Sequence, residues 1–168
     1  MRYLLIVKIV VLSILFSCDK DAENGIPEFT GITSTDQNAV IIGGVDTTDW
    51  RENETWLQIE KDLFSDFSSL SFNYTNDSSL IVSPAYPNPC SDGLNLNYQK
   101  DSSVELQLRF VDEDFNLLFS LNSIYSDAIS VSLNDITSLN SGDKFRVYYI
   151  FKQGITCIAK GHGDCMKF

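Results

Sequence analysis

The sequence predicts a mainly β protein: an antiparallel β-sandwich with one short helix, preceded by an export signal and a flexible tether. Three observations predict the sandwich and the helix. Apolar and polar residues alternate strictly through successive runs of the second half, turn-forming residues separate those runs at regular intervals, and one earlier stretch shows helical spacing instead. At 168 residues, with 43% hydrophobic and 12% aromatic content, the chain suits one compact domain with a sizeable core.

Residues 1–17 read as the export signal. Arg2 supplies a basic start, and an apolar run extends from Ile9 to Phe16. That run is too short to span about 30 Å of hydrocarbon, even if carried back to Tyr3 across Lys8. It ends in Leu15-Phe16-Ser17-Cys18, which resembles the bacterial lipobox, although Phe16 is bulkier than usual at its position. The resemblance implies that Cys18 receives a diacylglycerol thioether and that the signal is cut before it. An ordinary secretory signal with an incidental cysteine, or a short membrane anchor, is the alternative.

Residues 18–27 form a polar tether without apolar periodicity. Its Lys20-Asp21 pair resembles the surface-export signal of lipoproteins from bacteria with type IX secretion, with Ala22 interrupting the acidic run. The resemblance implies a Gram-negative outer membrane and its outer face. A solvated spacer accounts for the same composition.

Residues 28–79 are expected to be a strand-and-helix subregion packed on the sandwich. Val40-Ile41-Ile42, stopped by Gly43-Gly44, reads as a core strand. Residues 54–64 read as a helix with Asn53 as N-cap, because Trp56, Ile59, Leu63 and Phe64 fall on one face. Trp50 and Trp56 suit core packing better than a ligand platform; with Tyr148 and Tyr149 they are the candidate ligand-contact aromatics. Residues 65–79 read as a loop with an edge strand at Leu70, Phe72 and Tyr74.

Residues 80–168 are expected to form the sandwich itself. Leu94, Leu96 and Tyr98 alternate with polar residues, as do Val104, Leu106, Leu108 and Phe110. So do Ile129, Val131 and Leu133, and then Phe145, Val147, Tyr149 and Phe151. Turn signals at Asp92-Gly93, Lys100-Asp101-Ser102, Asp112-Glu113-Asp114 and Ser141-Gly142-Asp143 divide them. Each strand would bury one face and leave the other to solvent.

Tyr86-Pro87-Asn88-Pro89, followed by Ser91-Asp92-Gly93 and an alternating strand, resembles the start of a type A C-terminal sorting domain of type IX secretion. Leu139-Asn140-Ser141-Gly142 leading into an aromatic-rich strand resembles that family's closing part. The likeness covers about residues 83–151 and implies an Ig-like sandwich related to the flagellar hook-cap Ig-like domain. The chain departs from the family at Cys90, where an apolar residue is usual, and in continuing past the aromatic strand. The motif also has a physical reading of its own. Its prolines fix φ and withhold donors, making a rigid lead-in to a sheet edge, and Asn88 suits a turn cap.

With Cys18 lipidated, Cys90, Cys157 and Cys165 remain and allow three single pairings. Cys90–Cys165 is the favoured disulfide, since it would staple the first sandwich strand to the chain terminus; three buried thiols are the alternative. His162, the only histidine, lies in Gly161-His162-Gly163-Asp164-Cys165, which reads as a hairpin turn rather than a zinc or Cys–His site. The Asp112–Asp114 turn suits a solvated hairpin tip or a weak Ca²⁺ contact.

The formal charge of −11 disfavours nucleic acid and charge-driven adsorption to anionic lipid. No catalytic motif, metal site or cofactor signature stands out. The sequence therefore points to a membrane-anchored, non-catalytic module that contacts an envelope protein or a glycan. An accessory role in type IX secretion or surface assembly is the alternative.

Overall fold

The computed structural model describes residues 25–52, 55–72 and 80–168. The signal residues, Cys18, Asn53 and Tyr74 lie outside them. The described part is mainly β, with strands β1 (Ile81–Val82), β2 (Gly93–Gln99), β3 (Glu105–Asp112), β4 (Leu117–Ile124), β5 (Ala128–Ser132), β6 (Lys144–Gln153) and β7 (Thr156–Met166). One short helix, α1 (Gln58–Asp62), precedes them. The strands form two antiparallel sheets, ordered β1-β2-β5 and β4-β3-β6-β7. Among the described residues no helix is long and apolar enough to cross a membrane.

The alternating pattern builds the core between the sheets. Leu94, Leu96 and Tyr98 of β2 and Val131 of β5 meet Leu106, Leu108 and Phe110 of β3 and Phe145, Val147, Tyr149 and Phe151 of β6. The strands expected of the second half are present, and β1, β4 and β7 join them. β4 has a weak apolar pattern, because its side chains are largely half-buried or exposed at a sheet edge. β7 runs straight through the Gly161–Cys165 segment, which is therefore not a turn.

Strands β3, β6 and β7 of the larger sheet are buried on both faces, contrary to the one-sided pattern expected from sequence. Along β3 and β6 the buried residues run consecutively. Segment 55–72, joined by Glu28 and Phe29, supplies a third layer, while Trp50 packs on the inter-sheet side. Trp56 and Phe64 pack with Val111, Tyr148, Ile150 and Cys157 on the sheet's outer face, and Leu63, Phe67, Leu70 and Phe72 add to this second cluster. Ser71 joins the edge of β7 through a parallel bridge to Thr156.

The helix is shorter than the expected 54–64. It begins after Leu57, where the Glu60 carboxylate accepts the Leu57 N–H at 2.6 Å, and turns replace helix beyond Asp62. Glu60 is buried toward the sheet, so the cap and the packing face fix the start later than Asn53.

Val40-Ile41-Ile42 is also corrected. It forms the outer arm of a hairpin in which Asp36 N–H donates to the Val40 carbonyl and Ile42 N–H to the Ser34 carbonyl. Thr35 on the inner arm pairs with both Ile41 and Asn88. The inner arm takes the protein-facing side, and the apolar arm stays exposed.

Candidate functional site

The chemistry-bearing side chains concentrate on the outer face of the larger sheet. Residues at alternate positions of β3, β6 and β7 point there, and several are charged. Arg109, Arg146, Lys152, Lys160 and Asp164 are all buried beneath the third layer. Alternation in these strands suggested solvent contact, but the covering segment removes it.

Arg146 on β6 lies opposite Asp164 on β7. Its Nε and Nη2 donate to the two carboxylate oxygens at 2.5 and 2.8 Å, Nη2 also donates to the Glu28 carbonyl at 2.7 Å, and the Phe29 ring lies 4.5 Å from the guanidinium carbon. Burial works against the charge on Arg146, yet the bidentate Asp164 carboxylate holds its pKa above the ordinary value. Arg109 on β3 is equally occupied. It donates to the Leu63 and Leu108 carbonyls, to Asn122 Oδ1 and to both Asp66 oxygens, and sits over the rings of Phe64 and Phe67. Lys152 bonds Glu105 and faces Phe67; Lys160 lies over Trp56. The two arginines thus grip the two ends of the covering layer, Arg146 near Glu28 and Arg109 near Asp66.

Asp49 pins segment 25–52 to the edge of β7. Its two oxygens accept the backbone N–H groups of Thr33 and Asp164 at 2.8 and 2.9 Å. Burial raises its carboxyl pKa to about 6 despite those two bonds. Asn88 ties the same parts together from another side, its amide donating to the carbonyls of Thr33 and Asp164 and its oxygen accepting from Met166 N–H. It is not the local turn cap expected from sequence. Both X–Pro bonds of the Tyr86–Pro89 motif are cis.

The candidate ligand-contact aromatics do not form a row. Tyr149 faces the inter-sheet core and stacks 6.2 Å from Trp50, whereas Tyr148 faces outward, edge-on to Trp56 at 5.5 Å. All four rings are buried. Adjacent strand residues point to opposite faces, so Tyr148 and Tyr149 cannot share one platform.

The favoured disulfide is absent: Cys90, Cys157 and Cys165 are free, buried thiols. Cys90 is bridged to Lys167, two residues beyond Cys165, and its Sγ points at the Met166 carbonyl at 3.5 Å. Burial pushes the thiols of Cys90 and Cys157 up to about 11 and raises Cys165 as well.

His162 and Cys165 lie on opposite faces of β7, His162 beside Tyr148 and Cys165 in the inter-sheet core. They do not form a nucleophile–base pair. Gly161 and Gly163 have a packing role instead. A Cβ on Gly163 would meet the Trp50 indole, and one on Gly161 the Arg51 carbonyl and Tyr149. The missing side chains let Trp50, at φ 56°, lie against β7 and donate its backbone N–H to the His162 carbonyl at 2.7 Å. At the expected acidic tip, Asp112 accepts from Asp114 N–H and Asn116 N–H. Among the described residues no group of three or more metal-ligating side chains is assembled.

Clefts open where the covering layer meets the sheet. One of about 440 Å³ is lined by Glu28, Thr30, Thr48, Glu60, Arg146 and His162. The arginine within it is already committed to Asp164, Glu28 and Tyr148, and so serves cohesion rather than anion capture. No family model, curated protein or solved structure matches the chain.

Proposed function

We propose that the protein is a membrane-anchored, non-catalytic lipoprotein that contacts another envelope protein at the surface of a Gram-negative outer membrane. The Leu15–Cys18 lipobox likeness after the apolar run carries the anchoring. Burial of Trp50, Trp56, Tyr148 and Tyr149 favours a protein partner over a glycan, because carbohydrate recognition draws on exposed rings. The charged groups of the sheet are spent on one another and on the covering layer, which supports a scaffold rather than a reaction centre. In-cell cross-linking from intact outer membranes tests the reading. One envelope protein recovered reproducibly is the expected result; no reproducible partner contradicts it.

A second reading, accessory service in type IX secretion, is favoured by the Tyr86–Pro89 motif and the strand that follows it. Deleting the gene and finding secretion and surface display unchanged would remove that reading.

A further inference from the structure

Four aliphatic side chains of the hairpin and the loop after it are exposed: Val40, Ile41, Ile42 and Val45 at 55, 46, 51 and 57%. No charged residue occurs between Asp36 and Asp46. Gly43, at φ 89°, and Gly44 have nothing near their Cβ positions, so the tip stands clear of the protein. So many exposed aliphatic residues within six positions, with no charge among them, suit a contact surface.

Its position indicates what covers it. Thr35 of the hairpin pairs with Asn88, whose amide reaches Asp164, the partner of Arg146 at the start of β6. Glu28 and Phe29, near the beginning of the described chain, also contact Arg146, and Thr30 donates to Asp46 beside Val45. The apolar tip and the chain's point of arrival therefore share one end of the sandwich. Between Cys18 and Glu28 the chain reaches at most about 35 Å. A lipid on Cys18 would keep this end within about 35 Å of the bilayer.

We propose that residues 40–45 form a membrane-contact loop whose aliphatic side chains enter the interface of the bilayer that holds Cys18. The proposal rests on the reading of Cys18 as lipidated. The loop contributes apolar burial rather than charge, and the flanking Asp36 and Asp46 disfavour anionic headgroups, so the contact suits zwitterionic lipid and resists salt. An acidic second copy would repel this chain across the same surface.

The test uses the full chain, processed in a lipoprotein-competent bacterial host and reconstituted into phosphatidylcholine vesicles. Ile41→Cys accepts a polarity-sensitive fluorophore selectively, because Cys90, Cys157 and Cys165 are buried. Tyr125→Cys is the control: Tyr125 hydrogen-bonds Glu105, which pairs with Lys152, about 20 Å along β6 from Arg146. The expected result is a blue shift at position 41, with most of its emission lost to lipids doxyl-labelled near the headgroup. Position 125 stays aqueous, and 0.5 M salt (on the order of a 4 Å screening length) changes neither signal. A protein that floats with the vesicles while position 41 stays aqueous overturns the contact loop alone. Failure to float overturns the anchoring reading and the loop with it. A concentration-dependent blue shift without vesicles assigns the surface to a second copy and overturns the lipid contact.

Discussion

Arg146 and Asp164 face each other across β6 and β7 with both side chains out of solvent, at 2% and 0% exposure. Removing one partner strands a buried charge, which costs far more than the pair contributes. Asp164→Ala is expected to lower unfolding free energy by about 3–5 kcal/mol in urea titration. The exposed Lys144–Glu113 pair, 4.0 Å apart, supplies the contrast: Glu113→Ala should cost less than about 1 kcal/mol. Gly163→Ala drives a methyl into the Trp50 ring and should cost about 1–3 kcal/mol or more, read the same way. Asp49 gives the protein a pH signature. Its folded pKa of about 6 lies above the ordinary 3.8, so the folded state binds this proton more tightly than the unfolded one. Its contribution is therefore complete below about pH 3.8 and is lost as pH rises through about 6. Asp49→Asn should remove that falling component of stability between those values, seen as the wild-type minus variant difference across denaturation curves. An unchanged difference would mean that Asp49 is not desolvated as described.

At the scale of elements, the covering layer is the unexpected feature. Trp56 anchors it, touching Phe64, Phe72 and Tyr148. Trp56→Ala should cost about 3–5 kcal/mol. It should also let a thiol reagent reach Cys157, which lies beneath the layer, before Cys90 and Cys165, which lie between the sheets. Mass spectrometry after timed alkylation distinguishes the order. Strands β2, β3, β5 and β6 were legible because period-two burial toward one core imprints itself on the residues. β7 was not, because its Lys160, Gly161, His162 and Gly163 answer to neighbours far away in the chain: Trp56 and Trp50 set them, and no local pattern records that. The arginines of β3 and β6 looked solvent-facing for the same reason. Charged residues at alternate positions signal an outer face, but only the covering layer decides whether that face is wet. Val40-Ile41-Ile42 misled in the opposite direction: apolar content alone suggested core, whereas the hairpin turns those side chains away from it.

For the whole molecule, an acidic sandwich with a sealed polar face and an exposed aliphatic hairpin tip fits the proposed module held at a surface. Its buried aromatic rings and paired charges serve cohesion, and the aliphatic residues of the 40–45 tip are among the apolar side chains left exposed. The proposed lipid on Cys18 would govern where the molecule resides, and the proposal rests on the linear lipobox likeness at Leu15–Cys18. Metabolic labelling with a clickable fatty acid, comparing wild type with Cys18→Ala, tests that claim most directly. The account predicts labelled wild-type protein in the outer-membrane fraction and no label on Cys18→Ala. Label that persists on the variant, or wild-type protein that never acquires it, would contradict the account.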